Sequence, residues 1–550
     1  MNNRAAVAIL TTIWLLSTLL WLRPGIMRPD GAGYYVYLPS AVIGHDLLFF
    51  DEWQRLGLVP GGRILHKEIT ATDHLGDHWT CGSAVWWLPS FAAGDALRAI
   101  PPQRRFPRDG ISLPYNAAVI TSSAVAGLGV LLIGWWMSRS LAAAIGIWFG
   151  SPLLWYALQN SILSHVVSAF ACALLLLAAM RLRRTIDGAA LFAAGLAAGF
   201  AGAVRPQNLV FAVLPLFFVE RSAIPMLIRK CWAFAAGLLL GLLPELIVSF
   251  FLYGNPIAFL WGGAAKPFAA FERIWIWEPI FSWYHGLVPW TPFLGFGILG
   301  FFFLLRDDRR LGLAAIYAFA SQWAINAAFE RSFWGAYAFG QRRFENCAVF
   351  FLLGAAALFR RIPRWATVVI TAACAAWTMS IFFAALGGMN LSTYFTPSEL
   401  LRFQAAALRT AARFFQPLEG VPPPARWLVF EIVALCLGGW ALAAALGSRL
   451  KSASITAVCA AAVAAASIVF LAAGLDDRGH LPEFRALIEH NRPYQRLPGG
   501  PDVRTGLLRD EADYLRKSGR EAEAQRTERE MMALVRARQA AAAKLGIEER

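Results

Sequence analysis

Apolar stretches of membrane-crossing length recur along this 550-residue chain, and no other feature limits its fold as tightly. A helical span needs roughly 20 apolar residues, because a helix rising ~1.5 Å per residue must cross a hydrocarbon core ~30 Å thick. On that ruler, spans fall near 5–22, 112–137, 141–158, 166–180, 189–204, 208–220, 231–252, 286–305, 311–327, 345–359, 366–388, 427–446 and 452–474. The reading is an all-α polytopic membrane protein, a bundle of about thirteen transmembrane helices. Composition agrees: 58% of the residues are hydrophobic, only 15% are charged, and 40 Phe and 22 Trp are present.

The net charge of +15 sits largely in short turns between apolar runs. Counted from a cytoplasmic N-terminus, Arg139, Arg181/Arg183/Arg184, Arg221/Arg229/Lys230, Arg306/Arg309/Arg310, Arg360/Arg361/Arg364 and Arg449/Lys451 all fall inside. Positive-inside bias accounts for this charge without a nucleic-acid surface. The long loops 23–111, 253–285, 328–344 and 389–426, and the tail from 475, then lie outside. Residues 5–22 are followed by Leu22-Arg23-Pro24-Gly25 and not by a small-residue cleavage site, so they read as an uncleaved anchor. Of the seven cysteines only Cys81 lies outside an apolar run or its edge, and neither a disulfide framework nor a CxxC metal site is visible.

Two outer loops carry further helices. Residues 83–97 are apolar but short and broken by Pro89, which suits an interfacial helix with Trp86 and Trp87 at headgroup depth. Pro397 to Phe415 sets Leu400, Leu401, Phe403 and Leu408 against Arg402, Arg409 and Arg413, an amphipathic pattern. The tail 475–550 mixes basic and acidic residues almost evenly and reads as one or two solvated helices, packing on the outer loops and without chemistry of its own.

Candidate chemistry gathers at the outer edges. Arg28-Pro29-Asp30-Gly31-Ala32-Gly33-Tyr34-Tyr35 leaves a carboxylate at the mouth of the first span, where an uncompensated charge is costly. The plain alternative is Asp30 capping a short interfacial helix. The first loop also holds His45, His66, His74 and His78, with Asp46, Asp51, Glu52, Glu68, Asp73 and Asp77. His74-x-x-Asp77-His78 has the spacing for a divalent metal, but neighbouring Gly76 and the lack of a partner motif disfavour one. The other outer turns are Gln159-Asn160-Ser161 with His165, then Arg205-Pro206-Gln207-Asn208, then Phe333 to Asn346 with Trp334, Arg342 and Arg343. Arginines there suit a phosphate or pyrophosphate, and Trp and Tyr suit a sugar ring or isoprenoid chain. The competing role for Arg342 and Arg343 is snorkelling to outer headgroups.

In their order along the chain, these motifs resemble the GT-C superfamily of polyprenyl-phosphate-dependent glycosyltransferases, such as protein O-mannosyltransferases and the lipid A aminoarabinose transferase. The resemblance rests on Pro-Asp-Gly-Ala-Gly-Tyr-Tyr after the first span, a Gly-rich span from Gly195 to Pro206 ending in Arg-Pro, and Trp-Gly-x-Tyr-x-Phe-Gly-x-Arg-Arg at 334–343. It covers roughly residues 1–390, a catalytic region. Residues 391–474 would then add an interfacial helix and further spans, and 475–550 an extracytoplasmic tail. The resemblance implies a bacterial inner-membrane enzyme that moves a hexose or pentose from a polyprenyl-phosphate donor to a lipid, glycan or protein acceptor. Asp30 would be the general base, with His165 assisting. Arg205, Arg342 and Arg343 would hold the donor phosphate, and Tyr34, Tyr35, Asn160, Gln207 and Trp334 would contact substrate. No cofactor is implied. Many relatives carry a second acid in the next outer loop, where this chain has Gln159, Asn160 and His165. The alternatives are a transporter or flippase of a lipid-linked saccharide, for which Glu245 after Pro244 is the main interior charge, and a surface-polysaccharide polymerase or ligase.

Overall fold

Helices form wherever the sequence is apolar for long enough. The computed structural model describes residues 3–25, 30–56, 69–101, 103–261, 273–328, 332–335, 337–415, 423–492 and 503–544. Arg28, Pro29, His66 and Glu68, named above, and position 336 within the loop from Phe333 lie outside them. Among the described residues there is an isolated bridge between Ile69 and Leu75 and no strand. Among the described residues seven helices are long and apolar enough to cross a membrane. With the shorter apolar helices between them, they make this a multi-pass membrane protein.

The elements that frame the site are α1 (Asn3–Trp21), α2 (Asp30–Tyr35), α3 (Gly82–Arg98), α4 (Leu113–Ser138), α5 (His165–Arg181), α6 (Gly188–Val204) and α7 (Ile224–Tyr253). After these come α8 (Arg309–Ala328), α9 (Ala348–Phe359), α10 (Arg364–Leu386), α11 (Pro423–Gly447), α12 (Ser452–Asn491), α13 (Val503–Lys517) and α14 (Glu521–Lys544).

Several spans are irregular, each for a local reason. Residues 141–158 break at Ser151-Pro152 into two helices, and 286–305 break at Thr291-Pro292, because proline lacks the N–H that would continue the ladder. Pro206–Phe218 winds as a 3-10 helix. At ~2.0 Å per residue that winding carries a short segment further than an α-helix would. The span expected from 345 starts as an α-helix only at Ala348, after a 3-10 turn over Arg342–Cys347.

α6 and α7 approach backbone to backbone. Gly195 and Gly199 face the carbonyls of Phe234 and Leu238, while Gly237 and Gly241 face those of Phe192 and Leu196. Any Cβ at these positions would collide with main chain, so the two Gly-x-x-x-Gly stripes set the helix spacing. That contact fixes the end of α6, where Arg205 stands.

α3 lies antiparallel along the first half of α4. Trp86 Nε1 donates to the Ser122 carbonyl at 3.0 Å and Trp87 Nε1 to Ser123 Oγ at 2.8 Å. Trp87 is fully buried and Trp86 stacks on Trp440 of α11 at 4.8 Å, so both indoles are taken up by helix packing. Glu245, the interior acid, accepts from the Cys81 N–H at 2.7 Å and from Ser249 Oγ at 3.2 Å. It therefore serves the start of α3, where helix N–H groups need acceptors.

At the opposite end of the bundle the Arg-rich turns bind one another. Arg183 grips Asp308 through two contacts at 2.6 and 2.9 Å, and Asp307 takes Arg360 at 2.8 Å together with Arg361.

Candidate functional site

The turns at 159–165, 205–208 and 333–346 and the first-loop acid meet in one cluster. Asp30 opens α2, and its Oδ2 receives Arg342 at 3.1 Å, a contact between residues 312 positions apart. The Asp30 side chain keeps 30% exposure and that of Arg342 12%. Burial lowers the Arg342 guanidinium pKa, but Asp30, Tyr156 and Tyr34 more than reverse this, leaving it above its ordinary value. Asp30 is also the first residue of the short helix α2, and its carboxylate is drawn to Arg342.

Tyr34, on the same short helix, lies in the field of Arg205, Asp30 and Arg342 with its phenol toward Ser164. Burial pushes its pKa up. Gly33 beside it has no side chain because the Trp79 ring occupies that space. Tyr35 points elsewhere: its phenol donates to the Gly110 carbonyl at 2.7 Å and its ring packs on Phe91, so it belongs to the α3–α4 side.

His165 begins α5, and its Nδ1 lies 2.9 Å from Arg205 NH1. A guanidinium only donates, so Nδ1 must accept and carry no proton. The Arg342 backbone is a further polar neighbour of the ring. His165 is thus a neutral bridge from Arg205 toward the Arg342 turn, its ring tilted against that of Tyr156 at 4.6 Å, and no free base. Tyr156 in turn accepts from the Phe339 N–H at 2.9 Å and pins the approach to Arg342.

Arg343 is 7% exposed and donates to the carbonyl and hydroxyl of Ser332. Neither arginine of this pair snorkels outward. Gln207 donates to Gln322 Oε1 at 2.7 Å and to the Arg343 carbonyl at 3.4 Å, joining the Arg205 turn to α8. Asn160 stays within its own turn; its amide accepts from Trp155 Nε1 at 2.9 Å and donates to the Gln159 carbonyl. Trp334 is fully buried and stacks on Tyr284 at 5.2 Å, in an aromatic cluster with Tyr514 of the tail. The structure therefore brings Asp30, Tyr34, His165, Arg205 and Arg342 together, with Gln207 and Arg343 behind them. Tyr35, Asn160 and Trp334 serve the scaffold.

Some participants carry no sequence signal of their own. A buried amide chain, Asn346 Nδ2 to Asn208 Oδ1 at 2.8 Å and Asn208 Nδ2 to Ser168 Oγ at 2.8 Å, ties the Arg342 turn to the 3-10 segment and α5. Glu345 is 2% exposed, and Arg205 is the charge acting on it. A second acid thus reaches the cluster from the Arg342 turn, whereas the turn at 159–165 lacks one. His285 is fully buried against Trp290 at 4.3 Å. Burial first, and then Arg342 against a Leu391 backbone contact, brings its pKa down to about 3.

His74 has both ring nitrogens engaged, Nδ1 with the Thr72 carbonyl at 2.8 Å and Nε2 with Asp477 Oδ2 at 2.8 Å. Among the described residues no group of three or more His, Cys, Asp or Glu is placed to hold a metal ion.

No family model and no curated protein matches the chain. Among solved structures it is similar to ArnT from Cupriavidus metallidurans bound to undecaprenyl phosphate, at 15% identity, over 90% of this chain and 81% of that chain, with a TM-score of 0.42.

Proposed function

We propose that this protein is an integral-membrane glycosyltransferase that moves a sugar from a polyprenyl-phosphate donor to an acceptor hydroxyl at the outer end of its helix bundle. The observation that carries this reading is the Asp30–Arg342 pair, with Arg205 held behind it by His165. Three arginines and one partly exposed carboxylate suit a chemistry in which an anion leaves and a proton is taken up.

In this mechanism the donor phosphate draws Arg342 away from Asp30, and Arg205 supports it. The freed carboxylate takes the proton of the acceptor hydroxyl. The acceptor oxygen bonds to the anomeric carbon from the face opposite the phosphate. The carbon–oxygen bond to phosphate breaks, its electron pair stays on the lipid phosphate, and the sugar is inverted. Stabilising the departing phosphate is the arginines' contribution. Glu245 gives transport little support, because its carboxylate is already engaged by Cys81 and Ser249.

The test is sugar transfer from polyprenyl-phosphate donors in membranes containing wild type or Asp30→Asn at equal abundance. Loss of a general base is expected to lower the rate by about 10²–10⁴-fold. Transfer by Asp30→Asn at the wild-type rate removes Asp30 from the mechanism and defeats the reading.

A further inference from the structure

The charged tail buries some of its least polar residues against the loop that leads to Arg342. Tyr514 is 6% exposed, and Leu515 and Ala524 are fully buried. The Tyr514 ring lies 5.2 Å from Phe333, 5.8 Å from Tyr284 and from Trp275, and 5.5 Å from Tyr394. Charge flanks the rings: Arg273 binds Glu511 at 3.4 Å and Glu523 at 2.7 Å, and Arg520 binds Glu278 at 3.3 Å. Aromatic pairs at such distances add stabilisation beyond their buried area.

From those rings the contacts run to the site without a gap. The Phe333 carbonyl accepts from Gln341 Nε2 at 2.8 Å. Ser332 accepts from Arg343 through its carbonyl and its hydroxyl. Gly335 turns the chain at φ +71, a left-handed conformation that favours glycine, and lies in van der Waals reach of the Arg342 side chain. Arg342 then reaches Asp30.

We propose that α13 and α14 are a positioning element of the site: by seating Phe333 and Trp334, the tail holds Gln341, Arg342 and Arg343 in the arrangement that binds a lipid phosphate. The ligand class rests on the function proposed above; the mechanical link from tail to arginines does not. Tyr514 touches no reacting atom and acts through Phe333 and Trp334.

The experiment compares full-length wild type, Tyr514→Phe and Tyr514→Ala in detergent micelles. One readout is amide hydrogen exchange over Gly340–Cys347; the other is the Kd for a polyprenyl phosphate without sugar. Tyr514→Ala is expected to speed exchange over that turn and to weaken binding about tenfold, the scale of a contiguous coupling. Tyr514→Phe, which keeps the ring, is expected to match wild type in both. Unchanged exchange in Tyr514→Ala overturns the proposal, and so does faster exchange with unchanged Kd. Wild-type protein that binds no polyprenyl phosphate overturns the ligand class and the proposal together. Wild type that binds the lipid phosphate yet transfers no sugar defeats the glycosyltransferase reading alone. If Tyr514→Ala yields no folded protein, Glu523→Gln and Arg273→Gln replace it, with the same two readouts deciding.

Discussion

Arg342 and Asp30 pair with each other, and that has a direct consequence for substitutions. Arg342→Lys keeps the charge but loses the planar fork that meets a phosphate bidentately. We expect it to raise the donor KM by about tenfold, in a steady-state assay with the donor varied; an unchanged KM would place the phosphate elsewhere. His165→Asn offers an acceptor to Arg205 without a titratable ring. Because His165 is already neutral in its bridge, this variant is expected to keep most activity and the same pH profile. A lost pH limb would restore His165 as an acid or base. Glu52 gives a separate stability test in the first loop. Burial, and then Asp51 and Asp46, hold its carboxyl well above the ordinary range. The folded form therefore prefers the proton, and stability falls as pH rises above the unfolded carboxyl value of ~4.3. Glu52→Gln should raise stability at pH 8 by on the order of 1 kcal/mol, read as a higher Tm, with the gain gone by pH 4. Equal melting at both pH values would contradict that assignment.

The two glycine stripes set the position of Arg205 through main-chain contact between α6 and α7. Gly199→Leu would force a side chain into the Leu238 carbonyl and the Gly241 backbone. A cost of about 1–3 kcal/mol is expected, seen as a lower Tm and as weaker donor binding, because Arg205 moves with the end of α6. Wild-type melting would mean the helices are free to part. This element was legible in the sequence as a Gly-rich span ending in Arg-Pro, since close approach can be read from which side chains are missing. The break at Ser151-Pro152 was equally open to reading, from the proline. The 3-10 winding of Pro206–Phe218 was not, because apolar length reports how far a segment must go and not how tightly it winds. The convergence of Asp30, His165, Arg205 and Arg342 followed from placing each turn on one side of the membrane. Their individual partners did not follow. Which arginine faces the carboxylate depends on a one-residue step in the turn at 342–343, and polarity patterns carry no such register. Tyr35 shows the same limit: adjacent tyrosines in one motif go to opposite neighbourhoods.

At the scale of the whole molecule, the arginine turns and the site lie at opposite ends of the bundle. In a cysteine-free background, Ser398→Cys and Ser518→Cys are expected to react with an impermeant maleimide added outside intact cells. Arg184→Cys is expected to react only after permeabilisation. Protection of Ser518→Cys would move the tail, and with it the cluster it packs on, to the inner side. The tail was the least legible part of the chain. Its charge pattern describes the solvated face of α13 and α14 correctly, but whether a lone Tyr514 finds rings to pack on depends on loops hundreds of residues earlier.

α12 runs unbroken for 40 residues, about 60 Å at the α-helical rise. Near its start Ser452 meets Arg181 among the arginine turns, and further along Asp477 holds His74 and the Leu47 N–H of the first loop. A rod fastened at its start and again at Asp477 keeps a constant distance between those two anchors. The bundle therefore cannot thin or thicken along this edge without tilting the rod, and a bilayer of different depth would be felt in the first loop as a tug on its anchor.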